Sequence, residues 1–151
     1  MQSRHTFRTG ILCCLLTTVL VATLSAIASN GREFSGYYDL SAVSEQGDLM
    51  QFTLHLRLFN HGGADAKNVV VLLMEASPAP TLRGNFQPVK TWKAGQFIEM
   101  SQQFTISKRE FSEWTTRPVQ PNVVILFQDK NGKTWQRGAQ ISRAPLFPVT
   151  P

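Results

Sequence analysis

The stretch Leu49-Met50-Gln51-Phe52-Thr53-Leu54-His55-Leu56-Arg57-Leu58 decides the fold. Phe52, Leu54, Leu56 and Leu58 alternate with Gln51, Thr53, His55 and Arg57, a period of two that suits a β-strand with one buried and one wet face. One-sided alternation belongs to an antiparallel sheet, because parallel strands are covered on both faces and read as continuous apolar runs. Just downstream, Asn60-His61-Gly62-Gly63 carries turn residues. Asn68 to Met74 then forms a nearly continuous, valine-rich run that suits a central strand.

Working outward, Gly36 to Val43 predicts a strand with Tyr38, Leu40 and Ala42 on one side, closed by Glu45-Gln46-Gly47-Asp48. Gln96 to Ile106 predicts another, since Ile98, Met100, Phe104 and Ile106 share a parity that only Gln102 breaks. Val123 to Phe127 and Thr134 to Ile141 flank Asp129-Lys130-Asn131-Gly132-Lys133, whose Asn-Gly pair supplies the positive-φ positions of a hairpin. Pro78, Pro80 and Pro88 make Ser77 to Val89 irregular, leaving room for a short edge strand from Val89 to Trp92. Ser107-Lys108-Arg109-Glu110 has the S-x-x-E form of a capping box, and Ile106 and Phe111 sit where a hydrophobic staple would close. A helical turn from Lys108 to Trp114, ending before Pro118, follows. With no βαβ alternation, the expected fold is all-β: an immunoglobulin-like sandwich of about seven antiparallel strands, with a short helical turn near 108–114 and an N-terminal signal helix before it.

Of the 151 residues, 42% are hydrophobic and 17% charged, too apolar for a disordered chain and enough for one packed domain. Met1 to Gly10 carries Arg4, His5 and Arg8 without an acid; Ile11 to Leu24 is apolar apart from Thr17, Thr18 and Thr23; and Ala26-Ile27-Ala28 places small residues where a signal peptidase reads them. The expected organisation is a signal peptide over 1–28, a sandwich domain over 29–143 and a proline-rich extended tail over 144–151, with export to the periplasm or cell surface. The alternative is an uncleaved membrane anchor over 11–28, which just reaches the roughly 17–25 residues that span a bilayer. Cys13 and Cys14 both fall in the signal segment, so the mature chain is expected to have no disulfide, and about 120 residues can bury a sufficient core without one. Apolar residues continue well past Cys14, which disfavours a lipoprotein anchor. The net charge of +5 falls by two when Arg4 and Arg8 are removed. The remaining charges are scattered, with Lys108-Arg109-Glu110 the densest run, so no nucleic-acid partner is expected.

For chemistry, His55 lies on the polar parity of its strand and His61 in a turn, so both are expected to be exposed, with Asp65 nearby. Metal sites need three or four converging ligands, and no such spacing is present. No G-x-S-x-G elbow or comparable nucleophile arrangement appears, and no cofactor motif is found. Tyr37, Tyr38, Trp92, Trp114 and Trp135 are the aromatic residues available for a sugar-stacking platform. Packing is the favoured reading for most of them: Trp135 can meet Phe127 across the Asn-Gly hairpin, and Trp114 can plug the end of the sandwich. Tyr37, Tyr38 and Trp92 remain as candidate ligand contacts.

Phe52-Thr-Leu-His-Leu-Arg-Leu-Phe-Asn60-His-Gly62, followed by Ala66-Lys-Asn68-Val-Val-Val-Leu72, resembles the strand-turn-strand core of bacterial Ig-like domains of the cell-adhesion-related (CARDB) and fibronectin type III-like kind. There an alternating strand ends in Asn-x-Gly, and the next opens with a small residue before a valine run. The resemblance extends over about Gly36 to Arg143. It implies an extracytoplasmic, non-catalytic module that meets a protein partner or cell-surface component. Carbohydrate binding through exposed Trp and Tyr side chains is the competing expectation.

Overall fold

The alternation around Leu54 becomes β2 (Leu49–Asn60), in which Met50, Phe52, Leu54, Leu56 and Leu58 turn inward and are buried. A computed structural model of the chain describes residues 33–75, 77, 79–116 and 120–144. The expected signal segment with Cys13 and Cys14, the proline-rich tail past Ala144, and Pro118 lie outside them. Around β2 the described residues form β1 (Phe34–Gln46), β3 (Ala66–Met74), β4 (Leu82–Asn85), β5 (Val89–Trp92), β6 (Phe97–Ser107), α1 (Lys108–Thr116), β7 (Asn122–Gln128), β8 (Thr134–Gly138) and β9 (Gln140–Arg143).

These strands make an all-β sandwich. One sheet has the order β6-β2-β1-β9; the other has β4-β3-β7-β8, with β5 also pairing β3. β1 and β2 close in a two-residue turn in which Gln46 pairs Leu49 and Gly47 has φ +61°, the glycine position of a type II′ hairpin. The inward leucines of β2 share one core with Val69, Val71 and Leu73 of β3 and Val123, Ile125 and Phe127 of β7. α1 carries the chain from one sheet to the other. Ser107 Oγ accepts the Glu110 amide at 3.2 Å, capping its start, and Trp114 closes the end of the core with its ring edge-on to Phe52 at 5.8 Å.

The Asn60-x-Gly62 motif proves to be a buried knot. Asn60 Oδ1 accepts the Gly62 amide at 2.8 Å, while its Nδ2 donates to the carbonyls of Ala64 and Trp92, each at 3.3 Å. At 1% exposure the side chain has little access to water, so these bonds to the two loops are what offset its desolvation.

Several expectations change in detail. Thr134 to Ile141 is not one strand: β8 pairs β7, and after Ala139 the chain joins the other sheet as β9, which runs parallel to β1. Together with β4, which the proline-rich stretch had concealed, this makes nine strands among the described residues and one parallel pair. Ala42 does not share the inward side of Tyr38; it is exposed with φ +49°, in a bulge where the β1–β2 register shifts between Ser41 and Ser44. The helix runs to Thr116, two residues beyond the expected end. Its capping box is only half formed, since the Glu110 carboxylate pairs with Arg83 at 2.8 Å. In the β7–β8 hairpin only Gly132 has positive φ, at +77°. Asp129 closes the loop through its own backbone and accepts the Asn131 and Lys133 amides on its side chain.

Candidate functional site

The residues of β1, β2 and β6 that point away from the core line up across the sheet. Phe97, Phe59 and Ser35 form one row, Glu99, Arg57 and Tyr37 the next, and Ser101, His55 and Asp39 a third. The register set by the inward leucines therefore fixes this outer face as well, because side chains alternate strictly along a strand.

Phe97 is 49% exposed and Tyr37 47% exposed, an unusual allowance for large apolar rings on a wet face. Phe97 packs against Phe59 at 4.7 Å with the planes tilted by 56°. The Arg57 guanidinium lies 4.6 Å from the Phe97 ring centre and 3.3 Å from Glu99, so cation, ring and carboxylate are held as a unit. His61 meets Phe59 edge-on at 4.5 Å and hydrogen-bonds Ser35 Oγ through Nε2 at 2.6 Å. Tyr37 stands between two open depressions of about 590 and 870 Å³, one bordered by His55, Arg57 and Glu99 and the other by Phe59, His61 and Gln140.

His55 is a partly buried tie across three strands rather than a fully exposed side chain. Its Nε2 meets Ser41 Oγ at 2.6 Å and its Nδ1 meets Ser101 Oγ at 2.7 Å. Whichever tautomer is present, a neutral ring donates to one serine and accepts from the other. Asp39 stands opposite His55 in register, yet its Oδ1 accepts the Leu40 amide at 2.8 Å. The grouping therefore lacks the carboxylate contact that would hold an imidazolium during proton transfer. Asp65 accepts the Ala94 amide at 3.0 Å, and among the described residues no three His, Cys, Asp or Glu side chains converge.

Of the aromatic residues singled out from the sequence, only Tyr37 is exposed. Trp92 and Tyr38 are corrections: at 1% and 3% exposure they belong to the core and offer no free ring face. Trp92 stacks on Phe34 at 4.9 Å and donates Nε1–H to the Gln96 carbonyl at 2.9 Å. Burial pushes the Tyr38 hydroxyl pKa up, partly countered by Arg143. Trp114 is buried as expected. Trp135, partly buried and opposite Phe127, donates Nε1–H to Asp129 at 3.0 Å and carries Lys133 and Arg137 over its ring at 4.1 and 4.7 Å. That indole bond, more than the backbone amides, holds the Asp129 carboxyl below its usual range. No coplanar exposed platform forms from the five expected aromatics. Sequence reasoning passed over Phe59 and Phe97, although an apolar Phe59 on the polar parity of β2 was a visible signal.

No family model matches the sequence, and no curated protein matches it. Among solved structures it is similar to the GH20 exo-β-N-acetylglucosaminidase of Vibrio harveyi, at 15% identity and a TM-score of 0.38, covering 73% of this chain but 18% of the enzyme. It is also similar to the structural-genomics target SoR45, at 8% identity and a TM-score of 0.40, covering 78% and 90% of the two chains. A third likeness is to a glycoside hydrolase family 2 β-glucuronidase, at 13% identity and a TM-score of 0.33, covering 71% of this chain and 11% of that one. Likenesses this distant carry no argument about what this chain binds. Among the described residues, no helix is long and apolar enough to cross a membrane.

Proposed function

We propose that this chain is an exported, non-catalytic interaction domain that meets a protein partner through the outer face of the β6-β2-β1-β9 sheet. The basic, apolar and small-residue segments of Met1 to Ala28 support export. The observation that carries the binding role is the cluster of exposed Tyr37 and Phe97 with Phe59 and Arg57. Tyrosine and arginine beside other aromatic rings are typical of interface anchors, and here they sit on three hydrogen-bonded strands of one sheet.

A protein partner suits this face better than a sugar. The Phe59 and Phe97 rings are tilted rather than coplanar, and Arg57 covers part of Phe97, so a pyranose would find no flat stacking surface there. The test is a photo-cross-linking residue placed at Tyr37 or Phe97 in the native host, with Lys130 in the β7–β8 loop as control. The expected result is a discrete adduct with a different polypeptide from the first two positions only. Equal adducts from Lys130, or none from either position, would overturn the reading. Glycan binding lost in Tyr37→Ala would replace it with the carbohydrate alternative.

A further inference from the structure

β6 is the exception among the edge strands. The other edge strands are short and each carries a cation: four residues in β4 with Arg83, four in β5 with Lys90, five in β8 with Arg137 and four in β9 with Arg143; the stretch of β1 past Tyr38, which β9 does not reach, is broken by the bulge between Ser41 and Ser44. Short length and edge cations are the usual protections against strand addition by another chain. β6 has 11 residues, contains no Lys, Arg or Pro, and follows β2 without a register shift. It ends its sheet, so among the described residues one side of its backbone ladder has no strand partner.

Its core-facing side is also incompletely covered. Ile98, Met100 and Gln102 stand beside Leu58, Leu56 and Leu54, which are at most 2% exposed, yet Ile98 and Met100 are only partly buried and Gln102 is exposed. A strand added on the open edge would give them a lateral neighbour.

The sequence of β6 describes that neighbour. Read in both directions from Gln102, the inward positions are Met100 and Phe104, then Ile98 and Ile106. The outward pairs are Ser101 with Gln103, Glu99 with Thr105, and Phe97 with Ser107. We propose that two copies of this chain pair their β6 strands antiparallel about a twofold axis through Gln102, joining their four-stranded sheets into one. On the inner face this register sets apolar against apolar and amide against amide; it brings no like charges opposite one another and uses the whole strand. Moving the centre to Ser101 or Gln103 sets Gln102 against Met100 or Phe104 and shortens the ladder. Centres between residues would turn the second copy's inner face to the solvent. An isologous contact of this kind closes on itself, giving a dimer rather than a filament. The inference does not require the outer-face reading, although Phe97 belongs to both: in the dimer it stands opposite Ser107 of the second copy, so an adduct from Phe97 to this same chain reports the dimer and one to a different polypeptide reports the outer face.

The experiment is sedimentation equilibrium on the protein recovered from an exporting host, across micromolar to submillimolar concentrations. The wild type is expected to form a dimer. Gln102→Lys puts two cations opposite each other at the axis and is expected to weaken the dimer by about two- to fivefold. Because Gln102 is exposed, an unchanged thermal unfolding curve under monomeric conditions checks that the variant still folds. Mixing Gln102→Lys with Gln102→Glu is expected to restore association as a heterodimer, which only a contact centred on this residue does. A wild type that stays monomeric, a dimer indifferent to Gln102→Lys, or a mixture that fails to re-associate would each overturn the proposal.

Discussion

On the inner face of the four-stranded sheet Phe52, Leu54, Leu56 and Leu58 are at most 2% exposed, while on its outer face Tyr37 and Phe97 keep about half their surface. The same strands build both faces, and one residue of register separates them. The inner ladder is continuous with the second sheet and removes its apolar area from water, which is where most folding free energy arises. The outer residues contact chiefly one another. Removing them should leave the fold standing and change only what the face can meet.

The difference is broken most directly at Leu56. Leu56→Ala is expected to cost about 2–5 kcal/mol in chemical denaturation, through lost burial and the cavity left behind. Gly36→Ala tests the spacing between β1 and β2: a Cβ there would stand 2.0 Å from the Arg57 carbonyl oxygen and 2.9 Å from Leu58 Cα, both backbone atoms. A loss of about 1–3 kcal/mol or more is expected in the same assay. His55→Ala removes the Ser41 and Ser101 bonds from a partly buried site on the outer face and should cost under about 1 kcal/mol. If it matches Leu56→Ala, the outer face is part of the structural frame and the comparison fails.

Glu110 sharpens the inner side. Burial raises its pKa above the ordinary 4.5, with Arg83 opposing, so between the unfolded and folded values the native state holds more proton than the unfolded chain. Stability then falls as pH rises through that window. The wild type should lose ground against Glu110→Gln between acid and neutral pH in paired denaturation series. A difference that is flat or rises would mean that Arg83, not burial, dominates. The smallest expected effect is at Tyr37: Tyr37→Ala should change stability by under about 0.5 kcal/mol while abolishing the cross-linked partner.

Legibility in the sequence followed the same division. Where one face is buried, as in β2, alternation fixes the strand and its register, and even the short β5 was readable from Val89 to Trp92 because Pro88 and the loop after Trp92 frame it. Leu82–Asn85 has no β-branched residue and lies between prolines; it is a strand because β3 offers it an edge. The passage through Ala139 leaves no mark on the pattern, since Thr134 to Arg143 stays extended while its neighbour changes from β7 to β1. Tyr37-Tyr38 shows the limit at the candidate site. Adjacent residues on a strand must face opposite ways, so one tyrosine of the pair is core and one is surface. Parity puts Tyr38 on the side of Leu40, and its pairing with Leu56 makes that side the core.

The crossing from β8 to β9 also has a mechanical consequence. β9 lies parallel to β1 from Ser35 beside Gln140 to Tyr38 beside Arg143, and the Ala144 amide adds a bond to the Tyr38 carbonyl at 2.7 Å. In parallel neighbours, the start of one strand and the end of the other lie at opposite ends of the ladder. Tension applied between Phe34 and Arg143 therefore loads these hydrogen bonds together, in shear, instead of peeling them one at a time. A domain tethered at those two points would resist stretching until the whole short ladder gave way at once.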